Sequence, residues 1–372
     1  MKIVVIAGYA PSLINFRGPL LASMRVFGHE VITLAPPDDP TVRGQLAELG
    51  VGFKTIRLSR RGVNPLRDFI TMQDIRARLA EIKPDLVLSY TIKPVIYGSL
   101  AARLEGVKLA YSMVTGLGSS FEGKGWIGRL IFGMVEGLYR IGLKRNRCVF
   151  FQNTDDEAFF RKLQLIGPQT RSVITAGSGV DLNHYAQAPL PEGPPTFLLI
   201  ARLLKAKGIA EFAEAARLVK AEPSEARFHL VGPLEEGSGG GDERDLSRWR
   251  SEKLVDWFGL AEDVRPRLAE ASVFVLPSYY GEGLPRTALE AAATGRAVIT
   301  TDHPGCREAV VHGETGLLVP VRDPQALAEA MKRFINEPGL VESMGRAGRA
   351  LAEQRFDVNK VNRMILEAME LC

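Results

Sequence analysis

The chain has 372 residues, 46% of them hydrophobic and 24% charged, an ordinary globular composition. At roughly 150 residues per domain, that length favours two domains, each large enough for its own core. A net charge of +4 is too weak to argue for nucleic acid without a basic patch and a reading motif, and it suits an anionic ligand or an anionic membrane surface.

The opening "MKIVVIAGYAP" is a short apolar strand that breaks into a Gly/Pro loop, and it lacks the long apolar region of a signal peptide. A helix is expected near "PLLASMRVFG", then the strand "EVITLAP". Further on, the strand "DLVLSY" precedes the helical "VIYGSLAARLEG". This alternation is βαβ punctuation and implies a parallel sheet with helices on both faces. Asp38–Asp39 and Asp155–Asp156 read as solvated turn acids. At "QAPLPEGPPT", Gln187–Thr196, four prolines fall in ten residues and suggest a linker. The alternation then restarts with the strand "TFLLIA", the helix "GIAEFAEAARLVKA" and the strands "RFHLVG" and "ASVFVLPS". The helix "RTALEAAATG" and the strand "AVITTD" follow. The glycine-rich "PLEEGSGGGDERD", Pro233–Asp245, reads as a mobile loop. The expected architecture is α/β: two doubly wound, Rossmann-like domains facing a central cleft, with ligands beyond the carboxyl ends of the strands. The domains are expected at 1–186 and 187–355, with a C-terminal helix over 356–372 rejoining the first. Cys148, Cys306 and Cys372 show no paired spacing, so disulfides and zinc are not expected and a reducing compartment is the default.

Three segments of the second half line up after successive strands: "ARLLKAKG", "LPSYYGEGLPRTALEAAATG" and "TDHPGCREAVVHGETGLLVP". The Glu-x7-Glu element alone is weak. With Arg-x4-Lys upstream and "GETGLLVP" downstream, the set resembles glycosyltransferase family 4, the retaining sugar-nucleotide transferases of GT-B fold. In the first half, "SYTIKPVIYGSLAA", "VTGLGSSF" and "FFQNTDDEAFF" look like bacterial members that build polyprenyl-diphosphate-linked oligosaccharides. Those that add N-acetylgalactosamine to a lipid-linked sugar are the most similar type. The resemblance implies a UDP-sugar donor, a polyprenyl-diphosphate-linked saccharide as acceptor, and cell-surface polysaccharide or glycoprotein glycan as the product. It implies no cofactor, and Asp-x-Asp, the metal signature of the other major glycosyltransferase fold, is absent.

The physical chemistry of such a donor fits the residues. Arg202 and Lys207 can neutralise the diphosphate and stabilise the leaving nucleotide, the alternative being two solvated charges at a helix start. Cations are disfavoured at a helix amino terminus, which favours an anionic partner. Pro285 fits a first helical turn, leaving the amides near Gly283 and Leu284 to face anionic groups. Glu282 at the loop edge suits donor-sugar hydroxyls, and Glu290 the vicinal ribose hydroxyls. Their plain alternatives are a helix-dipole acid and a surface acid paired with Arg286 or Arg296. Gly8 and Gly18 lie in the first loop, where family members let backbone amides approach the phosphates. Many carry a Gly-Gly pair there and this chain does not. The resemblance makes Asn15 and Arg17 acceptor or phosphate contacts, against loop capping. Many relatives place a histidine after the strand read as "DLVLSY", whereas this chain offers Thr91, Ile92 and Lys93. Lys93 then holds the acceptor diphosphate or is a solvated loop lysine. Retaining enzymes of this fold need no protein base, since a phosphate oxygen can take the acceptor proton. Asp181 is expected at a structural hinge.

"WIGRLIFGMVEGLYRIGLKRNR", Trp126–Arg147, is a mostly apolar helix. At about 100° per residue, Arg129, Glu136, Arg140, Lys144 and Arg147 share one narrow stripe. It is either a core helix with one wet edge or partly sunk in lipid. Net basic charge and the anchors Lys124 and Trp126 favour an anionic membrane. The expected location is cytoplasmic, peripheral on the inner face of the cytoplasmic membrane. Rival readings are a non-hydrolysing sugar-nucleotide epimerase, a transferase with a soluble acceptor, a scaffold with a dead site, and a dinucleotide oxidoreductase. No Gly-x-Gly-x-x-Gly follows either domain's first strand, which disfavours the last.

Overall fold

The structure, a computed structural model, describes residues 1–37, 40–59, 62, 64–118, 125–235 and 243–372. Asp38, Asp39 and Lys124, the end of the "VTGLGSSF" segment, the middle of the glycine-rich loop and the side chain of Ile127 lie outside the described residues. The chain divides into two compact units, Met1–Ser178 with Val358–Cys372, and Gly179–Asp357.

The first unit carries seven strands: β1 (Lys2–Ile6), β2 (Glu30–Ala35), β3 (Gly52–Thr55), β4 (Leu86–Tyr90), β5 (Leu109–Val114), β6 (Cys148–Phe151) and β7 (Arg171–Ile174). Their order is β3-β2-β1-β4-β5-β6-β7, and every pairing is parallel. The inner strands are near-continuous apolar runs because helices cover both faces, whereas the edge strands β3 and β7 are more polar and partly exposed. The core joins Val4, Ile6, Val87, Val149, Phe151 and Phe160 with side chains from the covering helices. The Val358–Ala368 helix packs on the Gly18–Val26 helix, and His29 Nε2 lies 3.0 Å from the Leu371 carbonyl.

The second unit has six strands: β8 (Thr196–Ile200), β9 (Arg227–Val231), β10 (Asp256–Trp257), β11 (Val273–Leu276), β12 (Ala297–Thr301) and β13 (Gly316–Val319). Their order is β10-β9-β8-β11-β12-β13, again all parallel. Phe197, Phe212, Phe228 and Phe334 are fully buried in its core.

Both sheets therefore have a topological switch point, between β1 and β4 in the first and between β8 and β11 in the second. There the loops leaving adjacent strands diverge to opposite faces and open a crevice at the carboxyl edge. Those four loops carry most of the residues singled out by the sequence.

The unit boundary falls at Ser178–Gly179 rather than at 187, so the proline-rich segment lies within the second unit and does not link the two. Its start is fixed to the second unit through backbone carbonyls. Arg349 donates to Tyr185 O at 3.0 Å, and the Ala188 amide donates to Thr294 O at 3.1 Å. Fully buried Arg296 donates to Ala188 O at 3.0 Å and to Pro189 O, Leu268 O and Ala269 O. Arg296 is thus a structural clamp and no partner of Glu290. Its burial lowers the guanidinium pKa to about 10. Two other local readings change. Asp155 and Asp156 open the Thr154–Lys162 helix, capped by Asn153, and Asp156 is buried. Glu243–Asp245 begin the Glu243–Ser251 helix and are not loop residues.

Candidate active site

In the second unit, the site is assembled by the connections after β8 and β11. Arg202 follows β8, and its guanidinium donates to Glu235 Oε1 at 2.8 Å, with the two side chains 39% and 23% exposed. Lys207 ends a short 3-10 turn, Lys205–Lys207. Gly208 then adopts φ 75°, and a β-carbon there would collide with the Pro277 backbone after β11. Only glycine combines that backbone with so close an approach. Two hydrogen bonds staple the same loops together, Tyr279 N to Ala206 O at 2.8 Å and Ser278 Oγ to Ala206 O at 3.2 Å. The result sets the Lys207 ammonium against Glu282 Oε1 in a mostly buried ion pair. Ser278 Oγ donates to the same carboxylate oxygen at 3.3 Å, and the Tyr280 ring lies under Lys207 at 5.5 Å.

Glu282 leads into Gly283, Leu284 and Pro285, all but Glu282 buried. Pro285 stands immediately before the Arg286–Ala293 helix, with φ −69° and ψ 112°. It is thus the capping residue, one place earlier than the sequence suggested, and the Ala288 and Leu289 amides bond to its carbonyl. Gly305, φ 83°, lies against the carbonyls of Glu282 and Gly283, so a side chain there would displace the loop that carries the acid.

Glu290 lies one turn into this helix and is only 5% exposed. It is therefore no surface acid, although it does pair with Arg286, whose Nε is 2.8 Å from Oε1. The Tyr185 hydroxyl is its second partner. Burial raises the Glu290 pKa above the usual carboxylate range, while Arg286 and Tyr185 oppose the rise. A carboxylate offers about four acceptor positions, so these two partners leave capacity for a ligand's hydroxyl groups. Glu235 and Tyr185 were not singled out by the sequence, because each is remote in the chain from the residue it serves. Ser278 lies within the quoted segment that carries Glu282, but no role was read for it.

The first unit brings its candidates together at its own switch point. A β-carbon on Gly8 would lie 2.8 Å from Thr91 Oγ1, so the loops after β1 and β4 are in direct apposition. Gly18 starts the Gly18–Val26 helix, and Arg17 caps it. Arg17 is 2% exposed, with its guanidinium 5.3 Å from the centre of the Tyr90 ring. The Tyr90 hydroxyl pairs with Ser12 Oγ at 2.8 Å, and burial pushes its pKa up to about 12. Asn15, at the end of the Pro11–Asn15 helix, is exposed. Lys93 is not a solvated loop lysine, because its ammonium is 2.7 Å from Asp68 Oδ1 with side chains 15% and 6% exposed. Tyr97 donates to the same aspartate, and its burial beside that charge raises its pKa. Asp181 accepts from the Asn183 and His184 amides and shapes the turn that opens the second unit.

Trp126, Arg129 and Arg140 lie on the Gly125–Leu143 helix, while Lys144 follows its end and Arg147 is beyond it. Arg140 is tied to Glu136 and donates to the Leu163 carbonyl at 3.0 Å. Among the described residues, no helix is long and apolar enough to cross a membrane, and no cluster of three or more His, Cys, Asp or Glu could hold a metal.

Comparison with known proteins gives these two half-chains names. Residues 18–177 match the glycosyl transferase 4-like domain, and residues 194–337 match glycosyl transferases group 1. The chain is 27% identical over 356 residues to N,N'-diacetylbacillosaminyl-diphospho-undecaprenol alpha-1,3-N-acetylgalactosaminyltransferase from Campylobacter jejuni, covering 91% of each protein. It is 29% identical over 221 residues to the putative colanic acid biosynthesis glycosyltransferase WcaL of Salmonella typhimurium, covering 56% of this chain and 53% of that one. Among solved structures, Anabaena HepE in complex with UDP and glucose superposes with a TM-score of 0.80 over 100% of both chains at 18% identity. Sucrose-phosphate synthase from Thermosynechococcus elongatus superposes at 0.79, covering 99% of this chain and 98% of that one at 21% identity. With both domains matched in order and the fold shared end to end, the chain belongs to the family 4 glycosyltransferases of GT-B fold.

Proposed function

We propose that this glycosyltransferase moves a sugar, with N-acetylgalactosamine the first to test, from a UDP-sugar to a polyprenyl-diphosphate-linked saccharide, retaining the anomeric configuration. The observation that carries this reading is the convergence of Arg202, Lys207, Glu282 and Glu290 on the connections after β8 and β11, at the switch point of the second sheet. Two cations suit a diphosphate. Glu282 suits the transferred sugar, and buried Glu290 suits a ribose. The printed name of the C. jejuni relative supplies the lipid-linked acceptor and the sugar, and the HepE complex supplies UDP.

In this reading, the bond between the anomeric carbon and the diphosphate oxygen breaks as Arg202 and Lys207 stabilise the charge on the departing UDP. The acceptor hydroxyl attacks from the same face and passes its proton to a phosphate oxygen of the leaving group, so no side chain has to act as base. Lys207 must leave or share Glu282 to reach the diphosphate, which frees that carboxylate for the sugar. Gly8, Gly18, Gly283 and Leu284 are assigned to the donor, and Asn15, Arg17 and Lys93 to the acceptor. The test is incubation of purified protein with a panel of UDP-sugars and a polyprenyl-diphosphate monosaccharide, with organic extraction of the product. Transfer from at least one UDP-sugar is expected. Hydrolysis or epimerisation alone would reject the proposal.

The reading includes no metal. Activity is expected to survive chelation. Loss on adding EDTA, with recovery on magnesium or manganese, would show a metal in the reaction.

The acceptor's lipid requires access to a bilayer, and the Gly125–Leu143 helix suits that task. Its inner face, Val135, Tyr139 and Leu143, is buried in the first unit. Its outer face exposes Trp126 (75%), Leu130 (68%) and Ile141 (54%), flanked by Arg129 and Arg140, with Lys144 just past its end. An apolar outer face edged with cations matches an anionic interface. Changing Arg129, Arg140 and Lys144 to Glu is expected to abolish pelleting with anionic vesicles while UDP affinity stays unchanged. Wild-type pelleting by this variant would remove the helix from the interface.

A further inference from the structure

A second apolar surface lies on a different helix of the first unit. The Pro65–Ile82 helix is capped by Asn64, whose side chain accepts from the Arg67 amide. Its first turns expose Leu66 (78%), Phe69 (56%) and Ile70 (46%). These positions are i, i+3 and i+4, so the three side chains form one stripe. Single exposed apolar residues are ordinary, but a cluster of three large ones on one turn marks an interaction surface. The exposed charge beside it is basic. Arg57 and Arg67 are exposed there, while Asp74, one turn further along the helix, is half-buried and accepts from the Arg57 amide. The nearest acid, Asp68, is turned inward onto Lys93.

The placement of this turn is set by topology. Right-handed crossovers from β3 to β4, β4 to β5 and β5 to β6 all run toward the same edge of the sheet, so their helices share one face. The Ser99–Leu104 helix packs against both the Pro65–Ile82 and the Gly125–Leu143 helices, and so separates them by one layer position. At 8–10 Å per helix neighbour, the two exposed faces are roughly 20 Å apart. Each crossover helix runs back along the sheet and therefore starts at the strands' carboxyl edge. Leu66, Phe69 and Ile70 begin at the same edge as Trp126 and Leu130.

We infer that the first turns of the Pro65–Ile82 helix are a second lipid anchor, seated in the interfacial zone of an anionic bilayer. This rests on the membrane reading of the Gly125–Leu143 helix and adds a separate point of attachment. Two anchors on one rigid layer fix an orientation, which one helix alone does not. The second anchor also has a direct mechanical link to the candidate acceptor site. The turn that presents Phe69 outward presents Asp68 inward, and Asp68 holds Lys93 at 2.7 Å in the loop after β4. Seating the anchor therefore fixes the height of Lys93 above the headgroups, where a lipid diphosphate would sit.

The test is an environment-sensitive fluorophore attached at Phe69→Cys, in a background where exposed Cys372 is replaced by serine; Cys148 and Cys306 are buried. A parallel sample carries the label at Leu130→Cys. Vesicles of phosphatidylglycerol and phosphatidylethanolamine are expected to shift the emission of both labels to the blue, and vesicles of phosphatidylcholine alone to shift neither. Unlabelled Leu66→Ser/Phe69→Ser/Ile70→Ser protein is expected to bind the anionic vesicles on the order of tenfold more weakly. A shift at position 130 with none at 69 overturns this inference and leaves the first anchor in place. No shift at either position overturns both. A shift at 69 without vesicles that grows with protein concentration, with a rise in sedimenting mass, overturns it in favour of a second copy of the chain covering this face.

Discussion

Replacing Arg202 or Lys207 with alanine is expected to lower turnover by about 10²–10³, the usual result of removing one preorganised contact to developing negative charge. The two variants should differ in stability. Arg202 pairs with Glu235 at side-chain exposures of 39% and 23%, and ion pairs open to solvent contribute at most about 1 kcal/mol, so the melting temperature of Arg202→Ala should stay near that of the wild type. Lys207 and Glu282 are only 14% and 13% exposed, so Lys207→Ala leaves a poorly solvated carboxylate and melts earlier. Turnover must accordingly be measured on protein shown to be folded at the assay temperature. Near-normal turnover in both variants would remove the diphosphate role. A loss in Lys207→Ala that vanishes once the unfolded fraction is subtracted would make that pair structural.

The second large effect separates the two acids. Glu290→Gln should weaken UDP binding roughly tenfold or more, because a hydrogen bond to a charged acceptor contributes about 1.5–3 kcal/mol and an amide accepts on one side only. Glu282→Gln should leave UDP affinity in place and reduce transfer. Equal losses of UDP affinity would contradict the division. The pH dependence gives an independent check. The Glu290 pKa is raised by burial, so the folded protein holds this proton where the unfolded chain has released it. The stability this group confers is complete below the ordinary carboxylate range and is lost as the pH rises through the raised value. Ribose hydroxyls donate to the ionised form, so UDP affinity should rise over that same interval. Both trends should flatten in Glu290→Gln, as followed by melting and by calorimetry across mildly acidic pH.

Much of the fold was legible because inner parallel strands are almost pure apolar runs, as in "KIVVI", "TFLLI" and "AVITT", with glycine or proline near one boundary of each. The short edge strands β3, β7 and β10 carry no such signal. The proline-rich segment was misread because composition reports what a segment resembles and not what its carbonyls accept. Distant Arg296 ties its start to the second unit through the Ala188 and Pro189 carbonyls, and Arg349 holds Tyr185 just before it. The site was legible as a motif but not as a network. Spacing pointed to Arg202, Lys207, Glu282 and Glu290. The partners that hold them now, Glu235 for Arg202 and Tyr185 for Glu290, come from elsewhere in the chain. Burial decided the rest, making Glu290 an interior acid, Arg296 a clamp and Lys93 one end of an ion pair. The Gly125–Leu143 helix was visible as amphipathic. Leu66, Phe69 and Ile70 drew no attention, because three apolar residues in a helix normally face the core.

Titration of UDP into the wild type and into Arg202→Ala/Lys207→Ala/Glu290→Gln protein asks most directly whether the connections after β8 and β11 form the donor site. Saturable binding at one site per chain is expected in the wild type, with no measurable heat in the triple variant and unchanged binding in Lys93→Ala. UDP binding of undiminished affinity in the triple variant, on protein that melts as a folded chain, would place the donor elsewhere and contradict the assignment.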